Sequence, residues 1–377
     1  MKEGWEYKAL GECCDILDAQ RKPIKKDKRV RGTIPYYGAT GLLDYVKDYI
    51  FDETLVLLGE DGAKWGAGEA SAYEISGKSW VNNHAHVLRP NKDEIINAWL
   101  IYYLNYANLM PYIKGVTVPK LNQQRMSSIR VPIPPLSEQQ RIVSYLDSAF
   151  AKIDAVAKNA EASLNEAKAL FQSALAKMME PKEGWEEKKL GDITCKITDG
   201  SHNPPKGVKH SGFMMLSSKN IRNDRFTFDN PRYLSKTDFE KENLRTDIEK
   251  GDVLLTIVGA GLGQCCVYPK EFKVVFQRSA AVIKPRRSEI DNRFLMYSLQ
   301  NEYENIREKS NGAAQKGIYL SQLAKYVLSL PSLSTQQSIV STLDSLKSKV
   351  DQLQSNLTHT LSECAALKQS ILRETFE

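Results

Sequence analysis

No run of 18 consecutive apolar residues occurs in this 377-residue chain, and its opening residues lack the basic-then-apolar pattern of a secretory leader. Membrane spanning and export are therefore not expected, and a cytoplasmic location is. Cysteine is scarce, six residues in all, and two pairs are directly adjacent, Cys13-Cys14 and Cys265-Cys266. Neither pair has the two-residue gap of a zinc or redox motif, so a reduced chain is expected. Glycine and proline disappear altogether from two long windows, between Pro135 and Pro181 and from residue 334 to 377. Also missing is any nucleophile–base pair with a third group to orient it. The expectation is a chain that steers chemistry carried out by others.

What is present is ordinary in bulk and uneven in detail. Hydrophobic residues at 42% and charged residues at 26% are those of a globular protein. The net charge of +6 is not evenly spread. Residues 137–180 carry five basic and six acidic side chains, and residues 334–377 carry four and five. The basic excess falls on the other two blocks, with 18 against 16 in 1–136 and 25 against 19 in 181–333. A polyanion-binding surface needs its surplus placed in this way.

The chain also repeats itself. Glu3-Gly4-Trp5-Glu6 returns as Glu183-Gly184-Trp185-Glu186, an offset of 180, and the segment from Leu136 to Asp147 returns from Leu333 to Asp344, an offset of 197. The 17-residue difference places an insertion inside the globular part of the second half. The two windows without Gly and Pro predict long helices. Ile142, Leu146, Ala149, Ile153, Val156, Ala160, Leu164, Ala167, Leu170 and Ala174 step by three and four, and the positions 197 later are all apolar or cysteine. Ser137 with Gln140, and Ser334 with Gln337, match capping boxes. One Ala-rich and one Leu-rich stripe predict an antiparallel pair. The expected organisation is a first globular domain over 1–136, a helix over 137–180, a second globular domain over 181–333 and a second helix over 334–377. Both domains read as α+β, with buried strands at Leu55–Leu58 and Val253–Val258 and helices at Asn97–Met110 and Phe294–Tyr303.

Several stretches imitate catalytic motifs. Gly259-Ala260-Gly261-Leu262-Gly263 follows a strand as a nucleotide-binding loop does, but a further strand follows it, which predicts a hairpin. Asn230-Pro231-Arg232-Tyr233 is one residue from the adenine-gripping motif of amino-methyltransferases, and Arg232 breaks it. His84 and His86 with Glu60 suggest a metal-dependent nuclease, without a further ligand cluster to complete it.

The Gly-Trp-Glu opening, the Ile34-Pro35-Tyr36-Tyr37-Gly38 turn, the strand Gly251-Asp252-Val253-Leu254-Leu255 and the Pro-rich step into a Ser-x-Gln-Gln helix match one pattern, whose opening and helix step occur twice. In this the whole chain resembles the specificity subunit of type I restriction–modification systems. The resemblance implies two target-recognition domains separated by an antiparallel coiled coil of two conserved helices. It also implies double-stranded DNA as ligand, one half of a bipartite asymmetric site per domain. Partners would be two methyltransferase subunits, which would bring S-adenosylmethionine, and restriction–translocase subunits. No cofactor, metal or catalytic residue is expected in this chain. Thr335 and Ser338 stand where the first repeat has Glu138 and Arg141, so the two helix starts need not dock alike.

Turn residues able to hold phosphates or base edges are the candidate DNA contacts. In the first domain these are Tyr36, Tyr37, Lys64, Trp65, His84, His86, Lys114, Lys120 and Arg125. In the second they are Lys206, Lys209, His210, Lys219, Asn220, Arg222, Gln264, Arg278, Gln315 and Lys316. Gln139, Gln140, Arg141, Gln336 and Gln337 are the candidates for subunit docking, with helix capping as the alternative for Gln140 and Gln337. Two rival readings stay open: a self-sufficient metal-dependent nuclease, and a coiled-coil scaffold whose domains bind protein.

Overall fold

Gly4 and Gly184 share one backbone conformation, φ +84° in each, which a side chain at either position would strain. Each glycine turns the following tryptophan inward. Trp5 meets Trp99 edge-on at 5.3 Å, and Trp185 tilts against Phe294 at 6.2 Å. The repeated Gly-Trp is thus a wedge that closes the start of a fold onto a helix, used twice. The computed structural model describes residues 4–115, 117–302 and 317–377. By contact the chain divides into unit one, Met1–Ala162 with Asn356–Glu377, and unit two, Ser163–Ser355. The division falls inside both long helices.

In unit one, strand Glu6–Ala9 pairs with Arg130–Ile133. A four-stranded antiparallel sheet follows, with Leu55–Gly59 between Ala85–Pro90 and Ala72–Ile75, and Cys14–Ile16 outside Ala85–Pro90. Leu55 to Leu58 is a run of four apolar residues, the pattern of a strand covered on both faces, and all four are buried. One face packs on the helix Asn97–Tyr106 through Trp99, Leu100 and Leu104. Unit two repeats the plan with Glu186–Lys189 against Val327–Leu330 and a sheet ordered Thr194–Asp199, Ala280–Pro285, Val253–Thr256, Cys265–Val267. Its helix is Asn292–Asn301. Val253 pairs with Val267, so the glycine-rich segment between them joins an antiparallel hairpin, as its sequence predicted. In the strand Thr194–Asp199 the register shifts between Thr194 and Lys196, a bulge that leaves Cys195 exposed.

The repeats part company in a second sheet. Unit one has Gly41–Val46, Arg31–Gly38, Lys78–Val81 and Phe51–Asp52 in that order; unit two has Arg232–Tyr233, Met214–Leu216 and Val275–Phe276, with a separate pair Ile221–Arg222 and Arg225–Phe226. The 17-residue insertion lies here, because equivalent residues are 180 apart at Cys14 and Thr194 but 197 apart at Glu60 and Ile257. The segment 34–38, expected as a turn, is extended. Tyr36 pairs in parallel with Trp80, and Pro35 sits between two register shifts where the ladder tolerates it.

The long helices run Leu136–Met179 and Leu333–Phe376, 44 residues each. They open one residue before the expected Ser137 and Ser334, which lie inside the first turn. Pro135 O accepts Glu138 N and Gln139 N, and Ser332 Oγ accepts Thr335 N, so the caps are Pro135 and Ser332. Within unit one, Asp154 meets Lys368 at 2.6 Å while Leu146 packs near Leu372 and Phe376, so the helices are antiparallel. Within unit two, Lys168 donates to Gln354 at 3.0 Å and the sense is the same. Buried positions follow a seven-residue period, with Leu146 and Ile153 on one helix and Leu343, Val350 and Leu357 on the other, the repeat of a left-handed coiled coil. The predicted stripe does not keep to this seam throughout, and its members Val156, Leu170, Leu353, Leu361 and Leu367 face solvent.

Candidate nucleic-acid interface

In each unit the central strand ends in a loop, and a returning loop is stitched to it by one backbone bond. Leu121 N donates to Glu60 O at 2.8 Å, and Ile318 N donates to Ile257 O at 3.0 Å. Around this shared stitch the chemistry of the two units differs completely.

In unit one the stitch is reinforced by charge. Arg21 Nη1 reaches Glu60 at 2.5 Å, Lys120 Nζ reaches it at 2.8 Å, and Arg21 also bonds Ala85 O at 2.8 Å. Burial alone would raise the pKa of the Glu60 carboxyl, but hydrogen bonds from Lys120 and Arg21 hold it below its ordinary value. Three loops separated in sequence, 18–31, 60–66 and 114–121, therefore converge on one carboxylate. Their outer surfaces carry exposed Lys64 and Lys114, and His84, in the turn before Ala85–Pro90, brings its Nδ1 to 2.5 Å from Asp61. Lys114 and Lys120 exchange backbone bonds and shape the returning loop as a narrow turn. Arg125 donates to Pro111 O at 3.2 Å, bracing the base of that loop.

Three expected contacts in unit one are corrected. His86 is fully enclosed: Nε2 bonds Leu121 O at 2.7 Å, Nδ1 lies 2.5 Å from Asp18, and nothing remains for DNA. Trp65 is buried in the core and donates Nε1 to Gly59 O at 2.9 Å. Tyr36 is buried under Arg29, whose guanidinium lies 4.3 Å from its ring centre, and its hydroxyl accepts Ile24 N. Tyr37, half-buried, packs against Tyr73. Asp18, Glu60 and His86 do bring three ligand atoms within 4.8 Å of one another. The donor set does not suit a metal, because both ring nitrogens are engaged and two cations already hold Glu60.

In unit two the corresponding edge is an open basic cleft of about 480 Å³. Lys219, Arg222 and Arg278 line it with His202 around the backbone of Gly259 and Gly261, and no carboxylate is among its lining residues. Lys206, Lys209 and His210 lie exposed on the loop beyond His202, with the His210 ring 5.9 Å from Tyr233. Asn220 is corrected: it is buried, accepting Ser217 N and donating to Asp229 O, and it pins a turn. Gln264 is half-buried within the hairpin loop, its backbone N bonded to Gly261 O. Gln315 and Lys316 lie outside the described residues.

Two of the docking candidates are also corrected. Gln139 donates to Glu94 O and Pro134 O, both at 2.8 Å, and accepts Ile96 N at 2.9 Å. Gln336 donates to Glu289 O and Pro331 O and accepts Asp291 N. Both are wholly buried, clamping a helix start to its own unit. Gln140, Arg141 and Gln337 are exposed. The richest cationic segment, 21–31, with seven basic residues against one acid, is not among the expected contacts.

A family model described as the type I restriction modification DNA specificity domain matches this chain twice, over residues 2–166 and 182–362. The chain belongs to that family. The double match follows the internal repeat, so each half is one specificity domain. Among relatives, a putative type I restriction enzyme specificity subunit of Haemophilus influenzae is 28% identical, over 89% of this chain and 86% of its own. The MjaVIII specificity subunit of Methanocaldococcus jannaschii is 24% identical, over 89% and 84%. Among solved structures, a chain from a study of type I system assembly and conformational transition superposes with a TM-score of 0.75 at 18% identity, covering all of this chain and 98% of its own. The specificity subunit from Thermoanaerobacter tengcongensis gives 0.53 at 19% identity, covering 100% and 97%. These likenesses show the fold: two tandem α+β recognition domains with long helices between and after them. No helix among the described residues is long and apolar enough to cross a membrane.

Proposed function

We propose that this specificity-family chain is the DNA-recognition subunit of a type I restriction–modification complex and reads a bipartite, asymmetric site, one half per unit. The observation that carries the reading is one scaffold used twice, with the same stitched strand end bearing a charged three-loop edge in unit one and an open basic cleft in unit two. A shared frame with unlike cationic surfaces suits two different half-sites. The helix pair sets the spacing between half-sites and docks two methyltransferase subunits, with Gln140, Arg141 and Gln337 at the exposed helix starts. Those partners carry S-adenosylmethionine and methylate adenine at N6, and restriction–translocase subunits complete the complex in the cytoplasm. This chain itself turns nothing over.

Sequencing methylated adenines in cells carrying the intact system tests the reading. The expected result is a two-part motif with an unread gap. A contiguous motif overturns it, as does cleavage of DNA by the purified chain with magnesium alone.

A further inference from the structure

Between the strands Cys14–Ile16 and Arg31–Gly38, residues 21–31 read Arg-Lys-Pro-Ile-Lys-Lys-Asp-Lys-Arg-Val-Arg. The segment is held by its backbone and by Arg21 and Arg29, not by its lysines. Trp80 donates Nε1 to Lys22 O at 2.6 Å, Ile24 N donates to the Tyr36 hydroxyl at 3.0 Å, and Arg29 donates to Ile24 O at 3.1 Å while pairing with Asp44. Pro23 and a turn of 3-10 helix over Lys26–Lys28 stiffen the rest. Arg21 ties its start to Asp18 and Glu60, the carboxylate on which the other two loops of the unit-one edge converge.

The frame therefore consumes Arg21 and Arg29 and leaves the lysines over. Lys22, Lys25, Lys26 and Lys28 are exposed, and none forms an ion pair among the described residues. Holding four like charges on one pinned turn with only Asp27 among them works against folding, and a bound polyanion removes that repulsion. Phosphate neutralisation is served by such a turn, ordered in advance and carrying unpaired cations. The loop 201–211 of unit two is less dense, carrying Lys206 and Lys209 beside two histidines.

Resting on the DNA-recognition reading, we infer that the turn 22–28 is a backbone clamp that grips phosphates flanking the unit-one half-site. It sets register and affinity without contributing to sequence choice.

The test is duplex binding by the full chain across a series of KCl concentrations, with mixed-sequence double-stranded DNA as the probe. Lys22→Gln, Lys25→Gln, Lys26→Gln and Lys28→Gln are combined in one variant. A second variant removes the same charge from exposed lysines elsewhere in unit one, at Lys78, Lys92, Lys152 and Lys158. The first variant should make the slope of log affinity against log salt shallower by roughly 2 to 4, at about 0.9 for each phosphate no longer neutralised. The second should change it by less than about 1. In cells, the first variant should leave the methylated motif the same while lowering its occupancy. Equal slopes for both variants, an unchanged slope in the first, or an altered motif would each overturn the clamp. Wild-type chain showing no salt-dependent binding would instead overturn the DNA reading beneath it.

Discussion

Gln139 and Gln336, 197 residues apart, make the same set of bonds: two backbone carbonyls accept from each amide nitrogen and one backbone N–H donates to each amide oxygen. Each joins the first turn of a long helix to the loop that precedes the short helix of its unit. Removing either takes the partner from three backbone groups, one buried and two part-buried. Gln139→Ala should cost about 2–4 kcal/mol, and urea unfolding monitored by tryptophan fluorescence would measure it. Gln140→Ala, one residue on and exposed, should cost under about 0.5 kcal/mol. Equal effects would show that the clamp contributes nothing.

Phe376 closes unit one. It is buried, with its ring 5.0 Å from Trp99, 5.4 Å from Tyr103 and 5.2 Å from Tyr106. Phe376→Ala should destabilise the unit by about 3–5 kcal/mol, the usual loss for a buried aromatic. Thermal unfolding by circular dichroism would reveal it, and Phe376→Leu should recover part of the loss.

The Glu60 network carries a pH signature. Because Lys120 and Arg21 hold the carboxyl below its ordinary value near 4.5, the stabilisation is complete above that value and fades as pH falls through the lowered one. Glu60→Gln should therefore be less stable than wild type at neutral pH, with the difference shrinking in acid. Denaturant midpoints across that range would show convergence. A constant difference would place the effect elsewhere.

Arg278 faces the unit-two cleft from a strand end. Arg278→Ala should weaken duplex binding about tenfold or more if it pairs with a base edge, and relax the motif at one position. Methylome sequencing of the variant separates this from a phosphate role, which would lower occupancy uniformly.

The features legible in the sequence were those with long periods. A window of 44 residues without Gly or Pro reads as a helix whatever surrounds it, and offsets of 180 and 197 announce the repeat. Polar residues at the site were harder. Gln139, His86 and Asn220 have side chains that suit DNA or a partner, and they serve instead as internal braces, because a buried backbone end needs a polar partner as much as a ligand does. Nothing in a single sequence tells the two apart. The second sheets escaped for another reason: strands of two or three residues, as at Arg232–Tyr233 and Met214–Leu216, leave too little alternation to detect. The lysine turn was visible but was averaged away when charge was summed over 136 residues.

The bulge at Cys195 has a practical side. Four of the six thiols are buried and Cys364 is half-covered, so Cys195 alone stands open to reagent. A maleimide dye added to the native protein should attach at close to one per chain, and Cys195→Ser should abolish the attachment. That gives a fluorescent reporter seated in unit two without any engineering, able to follow one half of the molecule while the other is mutated.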